Sequence, residues 1–141
     1  MRHLSAIAAT ASLLVACTTP PPKPAAPPPP LIGTNWKWEG TTTPAAKIVA
    51  GNPDRYTLRL SSDGMAAVRA DCNRGIGSNE AQGKQISFGA IATTRAKCPP
   101  DSQADGFVKS LQAASSYVID GDRLFIELKS DSGTMKFTRA E

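Results

Sequence analysis

In residues 34–39, TNWKWE, apolar and polar positions alternate. Trp36 and Trp38 share one face; Asn35, Lys37 and Glu39 share the other, which is the two-residue period of a half-buried strand. RYTLRL repeats the pattern with Tyr56, Leu58 and Leu60, SSDG follows as a turn, and MAAVRAD resumes it, so residues 55–71 read as a hairpin. Carried forward, that phase puts Ala66, Val68, Ala70 and Cys72 on one face and Arg69 and Asp71 on the other. It therefore predicts that Cys72 faces the core and that Asn73, Arg74 and Gly75 shape the turn behind it, because Asn and Gly tolerate left-handed backbone. GIGSNEAQGKQISFG reads as two short strands around Gln82-Gly83. TTTPAAKIVAGNPD reads as loop, broken by Pro44 and Pro53, and AIATTRAKCPP as an irregular crossing.

From about residue 102 the period changes. Ala104, Phe107, Val108, Leu111 and Ala114 follow helical spacing and predict one amphipathic helix over about 102–114. Asp101 or Ser102 is placed to cap it, with Asp105 in the capping-box position. SYVID, a Gly121-Asp122 turn, RLFIEL, a turn at Ser130–Gly133 and TMKFTR then return to alternation. About eight strands in hairpins and one helix specify an α+β, β-rich domain over 31–141. The expected form is a strongly bent antiparallel sheet or open barrel, with the helix covering or filling it.

The first thirty residues belong to a different class. Arg2, an apolar run from Leu4 to Val15 and the small-residue exit before Cys17 form the layout of a signal peptide over 1–16. The run is shorter than the roughly 20 residues of a spanning helix. Its exit, LVAC, resembles a bacterial lipobox, which implies cleavage before Cys17 and a lipid on that cysteine. An ordinary signal peptide that leaves Cys17 a free thiol is the alternative. Thr18 at the following position points to the outer membrane, facing the periplasm, rather than the inner membrane. Residues 17–30 then form a linker. Eight of the chain's 12 prolines lie between Pro20 and Pro30, a composition that favours extended polyproline II, about 3.1 Å per residue. It serves as a spacer or leader and, as a third reading, a ligand for a proline-binding partner.

Charge and histidine content narrow the chemistry. The formal charge of +4 falls to +3 without Arg2, and the basic residues are scattered rather than run together. That does not support a nucleic-acid partner. His3 is the single histidine and leaves with the signal peptide. Cys-His and Ser-His-Asp catalysis and His-containing metal sites leave with it. With Cys17 lipidated, Cys72 and Cys98 remain, 26 residues apart. In an oxidising compartment such a pair bridges. Closing that loop is worth roughly 3.5 kcal/mol in the chain-entropy model. A reduced, inert pair and a reactive Cys72 thiolate near Arg74 are the competing readings. Two cysteines without histidine fall short of the four ligands of a zinc site.

Together, DGMAAVRADCNRGIG, ISFGAIATTRAKCPP, the FVKSL helix, SYVIDGDRLFIEL and GTMKF resemble the META-domain, or HslJ-like, family over nearly all of residues 34–139. The family's Cys-Asn-Arg triplet corresponds to Cys72-Asn73-Arg74, and its Thr-Arg-x-x-Cys element to Thr94-Arg95-Ala96-Lys97-Cys98. The resemblance implies a compact antiparallel β fold with one helix and an envelope lipoprotein. It also implies an association with heat or envelope stress in some members, and no established reaction. Two departures stand out. Ala96 replaces a frequent Met, and Ser78-Asn79 stand where an aromatic residue is common, so a smaller hydrophobic surface patch is expected.

Arg74 and Arg95 each sit close to one of the two cysteines, so a bridge would bring them together as an anion site; the alternative is that both satisfy loop carbonyls or a carboxylate such as Asp71. Asn73, Arg74 and Arg95 are thus the candidate ligand residues. The tryptophans read as core rather than as a sugar platform, and Asp120 and Asp122 as turn residues rather than calcium ligands. The expectation is a non-enzymatic, monomeric, lipid-anchored envelope lipoprotein with no cofactor and no metal. Its partners would be the membrane, through Cys17, and an unidentified envelope protein or small ligand. A lipid or small-ligand carrier with a cavity between helix and sheet is the second reading, and a hydrolase or redox enzyme the third.

Overall fold

The computed structural model describes Pro20 and residues 30–141. The proposed signal peptide and Cys17 lie outside the described residues. Ten strands and one helix follow in chain order: β1 (Asn35–Thr42), β2 (Lys47–Val49), β3 (Tyr56–Leu60), β4 (Met65–Ala70), β5 (Asn73–Gln82), β6 (Gln85–Phe88), β7 (Ala92–Thr93), α1 (Ala104–Gln112), β8 (Ala114–Asp120), β9 (Arg123–Leu128) and β10 (Thr134–Arg139).

Eight of these strands close into an antiparallel barrel. The order runs β1, β3, β4, β5, β6, β8, β9, β10, and β10 returns to β1. That last pairing is extensive, running from Trp36 opposite Arg139 to Thr42 opposite Thr134, with a bulge between Trp38 and Gly40. The barrel is therefore closed rather than open. β2 adds to β1 through Gly40–Thr42, and β7 adds to β5 through Gly75 and Ile76. Both extra strands fall in segments the sequence pattern reads as loop or crossing. The reason is local: all residues of β2 and β7 are exposed, so neither carries an alternating apolar signal.

Elsewhere the two-residue period holds. Trp36, Trp38, Tyr56, Leu58, Leu60, Val68, Ile86, Leu124, Ile126, Met135 and Phe137 all point inward and are buried. The tryptophan N–H groups are satisfied there, Trp36 donating to the Leu31 carbonyl at 3.3 Å and Trp38 to Thr41 Oγ1 at 3.1 Å. α1 is shorter than the spacing predicts, because Ala114 belongs to β8. It buries Ala104, Phe107 and Leu111. Phe107 enters the barrel core, its ring centroid 5.2 Å from Trp38, 5.6 Å from Tyr56 and 6.3 Å from Phe137. The helix itself keeps Asp105, Gly106, Lys109 and Gln112 exposed, so of the two expected arrangements it takes the covering one, with the Phe107 ring inserted into the core.

The capping box does not form. The N-cap is Gln103, with no capping bond from its side chain. Its backbone N–H donates to the Tyr56 hydroxyl at 3.0 Å. Its side chain donates to the Val49 carbonyl and accepts from Gly51 N–H. Gln103 is committed to fastening the helix start to the loop after β2, and the helix begins one residue later than a Ser102 cap would set it.

Candidate functional site

The Cys-Asn-Arg motif sits at the end of the β4–β5 hairpin. Ala70 pairs with Asn73, so the turn consists of Asp71 and Cys72 alone. Asp71 adopts a positive φ of 59°. Asp is among the few non-glycine residues that enter this region readily. The positive φ breaks the alternation. Asp71 turns inward and is 2% exposed, while Cys72 faces solvent. This reverses the orientation expected for both. Asn73, Arg74 and Gly75 are the opening residues of β5 rather than the turn.

Asp71 is held from three directions. Its carboxylate meets the Arg55 guanidinium, and its N–H donates to the Arg55 carbonyl at 2.7 Å. Arg69 Nε donates to its carbonyl oxygen at 3.3 Å. The sequence offers Arg74 and Arg95 as partners for this carboxylate, and neither makes an ion pair among the described residues. Arg55 and Asp71 lie 16 positions apart in the sequence, and neither shows a motif that would join them. Only the β3–β4 register, with Tyr56 opposite Ala70, brings them together.

Asn73 fastens the crossing that follows β6. Its side-chain oxygen accepts from Ala96 N–H at 2.8 Å and from the Thr94 hydroxyl at 3.0 Å, and its side-chain amide donates to the Ala96 carbonyl at 3.2 Å. The Thr94 hydroxyl also accepts from Arg74 N–H at 3.0 Å. One side-chain amide therefore pairs with backbone as another strand would. Because Asn73 uses only the backbone of Ala96, replacing a Met there leaves the clamp unaffected. The disulfide from Cys72 to Cys98, Cα atoms 5.4 Å apart, closes the same segment covalently.

The two glycines of the motif permit this close approach. A Cβ at Gly75 would lie 2.9 Å from Ile91 Cγ2, and one at Gly77 would lie 3.0 Å from the Ala90 carbonyl. The crossing lies directly on β5, so side chains at these positions would push it away.

This motif unites the tips of two segments otherwise distant in the chain. The META-domain family model matches residues 29–141. The chain belongs to the META-domain family. The META barrel is similar to a protein from Burkholderia xenovorans solved by NMR, with a TM-score of 0.66 and 24% identity over 87% of this chain and 98% of that one. It is also similar to a DUF4847-family protein from Bacteroides vulgatus, with a TM-score of 0.56 and 15% identity over 77% of this chain and 93% of that one. At these identities the likeness concerns the fold alone. None of the curated proteins matches this sequence.

Of the candidate ligand residues of this META domain, Asn73 is committed to the clamp and Arg74 projects from the outer face of β5. Arg95 is exposed and makes no hydrogen bond or ion pair among the described residues. An open groove of about 230 Å³ runs beside α1, lined by Ala70, Asn73, Thr93, Ala104, Asp105 and Val108 among others. No group of three or more His, Cys, Asp or Glu side chains is placed to hold a metal among the described residues.

Proposed function

We propose that this META-domain protein is a non-catalytic, lipid-anchored lipoprotein of the bacterial envelope. It is held at the outer membrane through Cys17 on a proline-rich tether, and its barrel serves a binding role in protection against heat or envelope stress. The observation that carries this reading is how the motif residues are used. Cys72 and Cys98 are bonded to each other, Asn73 is occupied with the Ala96 backbone of the crossing, and the Thr94 hydroxyl is occupied with Asn73 Oδ1 and the Arg74 N–H of β5. These bonds make the motif a structural fastening for an exported domain, in keeping with where disulfides persist. The signal-peptide and lipobox pattern supplies the address.

Metabolic labelling with radioactive palmitate followed by membrane fractionation tests the anchor. The wild-type protein should carry label and sediment with the outer membrane, and Cys17→Ala should carry none. An unlabelled wild-type protein refutes the tether. A deletion strain that survives heat and envelope damage as well as its parent would remove the protective role.

A carrier role has one observation in its favour, the groove beside α1. The barrel interior is occupied by Trp38, Phe107 and Phe137, each at most 1% exposed. Native mass spectrometry of protein extracted from its own envelope would favour the carrier if a lipid or small molecule co-purified.

A further inference from the structure

The strand registers assemble a basic row that no linear motif contains. Lys37 on β1 lies opposite Thr57 on β3, Thr57 opposite Arg69 on β4, and Arg69 opposite Arg74 on β5. In the adjoining row, Asn35 lies opposite Arg59, and Arg59 opposite Ala67. The intervening residues Trp36, Leu58, Val68 and Ala70 are buried in the barrel. Both rows therefore stand on its outer face.

Their charges are unequally matched. Lys37, at the end of the row, pairs with Asp54 at 3.1 Å. Arg69 uses Nε on the Asp71 carbonyl and makes no ion pair among the described residues. Arg59 and Arg74 make no ion pair among the described residues. Like charges set directly opposite each other, as Arg69 and Arg74 are, repel unless an anion lies between them. The three guanidinium groups border a hollow of about 390 Å³, whose lining also includes Asn35, Thr57 and Gly75 and contains no carboxylate. Gly75 leaves the wall beside Arg74 without a side chain.

Guanidinium forks on three neighbouring strands suit an anion that offers oxygens in several directions, and a tetrahedral phosphate does so. Thr57 and Asn35 add neutral donors. The lining holds no aromatic ring on which the bases of a single strand would stack. We propose that the hollow bounded by Arg59, Arg69 and Arg74 binds a phosphate monoester group, carried by a lipid headgroup or by a soluble compound. This names a ligand class for the binding role proposed above, yet it rests on the barrel face alone. The palmitate result does not bear on it.

The test titrates the purified protein with inorganic phosphate, and separately with chloride at matched ionic strength, while amide NMR signals are recorded. Saturable shifts at Thr57, Arg69, Arg74 and Gly75 with phosphate, and not with chloride, are expected. In the double variant Arg59→Gln/Arg74→Gln the affinity should fall about tenfold or more, with the melting temperature unchanged. Arg74→Lys, which keeps charge without the fork, should fall in between. A second arm compares co-sedimentation with phosphatidylcholine vesicles and with vesicles that also contain phosphatidic acid. A gain with phosphatidic acid that the double variant loses places the phosphate on a lipid. Saturable phosphate shifts without such a gain place it on a soluble compound. Shifts equalled by chloride, binding unaffected by the double variant, or neither shifts nor vesicle gain would overturn the proposal.

Discussion

The hairpins β4–β5 and β8–β9 turn in the same way with different residues. Each has a two-residue loop, Asp71-Cys72 in one and Gly121-Asp122 in the other, and each places its first loop residue at positive φ, 59° and 57°. Gly121 has open space around the position of a Cβ. It does nothing beyond turning the chain, and glycine enters this conformation at the lowest steric cost. Asp71 accepts a less favourable backbone so that a carboxylate can be delivered inward to Arg55 while Cys72 is presented outward to Cys98. The β5–β6 hairpin follows the simpler pattern, with Gly83 at φ 60° before Lys84. An aspartate where two sister turns use glycine marks the place where a turn also holds tertiary structure.

Breaking the support of the Asp71 turn should have the largest effect. In Arg55→Ala the Asp71 carboxylate stays buried without its cation, and the expected loss is about 3–5 kcal/mol in urea denaturation, as for other broken buried pairs. A loss under about 1 kcal/mol would mean that the carboxylate is solvated and the turn less committed than its burial indicates. Next comes the covalent fastening. Cys72→Ser/Cys98→Ser should lower stability by roughly 3 kcal/mol, and amide hydrogen exchange should rise first at residues 90–98 rather than in the barrel strands. Uniform exchange throughout would show that the bridge serves the barrel as a whole. The control turn gives the smallest effect. Gly121→Ala should cost about 1 kcal/mol from the strained backbone alone and leave the β4–β5 end unaltered. A larger loss would show that the β8–β9 turn has a hidden packing role.

Much of the barrel was legible because strands that face a core on one side and water on the other must alternate. Trp36, Trp38, Tyr56, Leu58, Leu124, Ile126 and Phe137 revealed their faces in this way, and Phe107 and Leu111 revealed the helix. β2 and β7 were not legible, since they bury nothing. The phase beyond Ala70 departs from alternation for a different reason. Alternation extrapolates only while the backbone stays extended, and one residue at φ 59° exchanged the orientations of Asp71 and Cys72. At the motif, the partner across the sheet from Arg74 was not legible, because it depends on the pairing of β4 with β5. Register set Arg74 opposite Arg69 on one side, and backbone bonds set it beside Thr94 on the other.

The sequence by itself determined which strands exist wherever burial imposes a period, and where the helix lies. Its N-terminal pattern also carries the expectation of export. Tertiary structure alone decided the closure of β1 on β10, the ion pair of Arg55 with Asp71 and the gathering of three arginines over one hollow. The physical reason is common to all three. Period and propensity act between near neighbours in the chain, whereas closure, ion pairing and charge clustering depend on register between segments that meet only when the core forms.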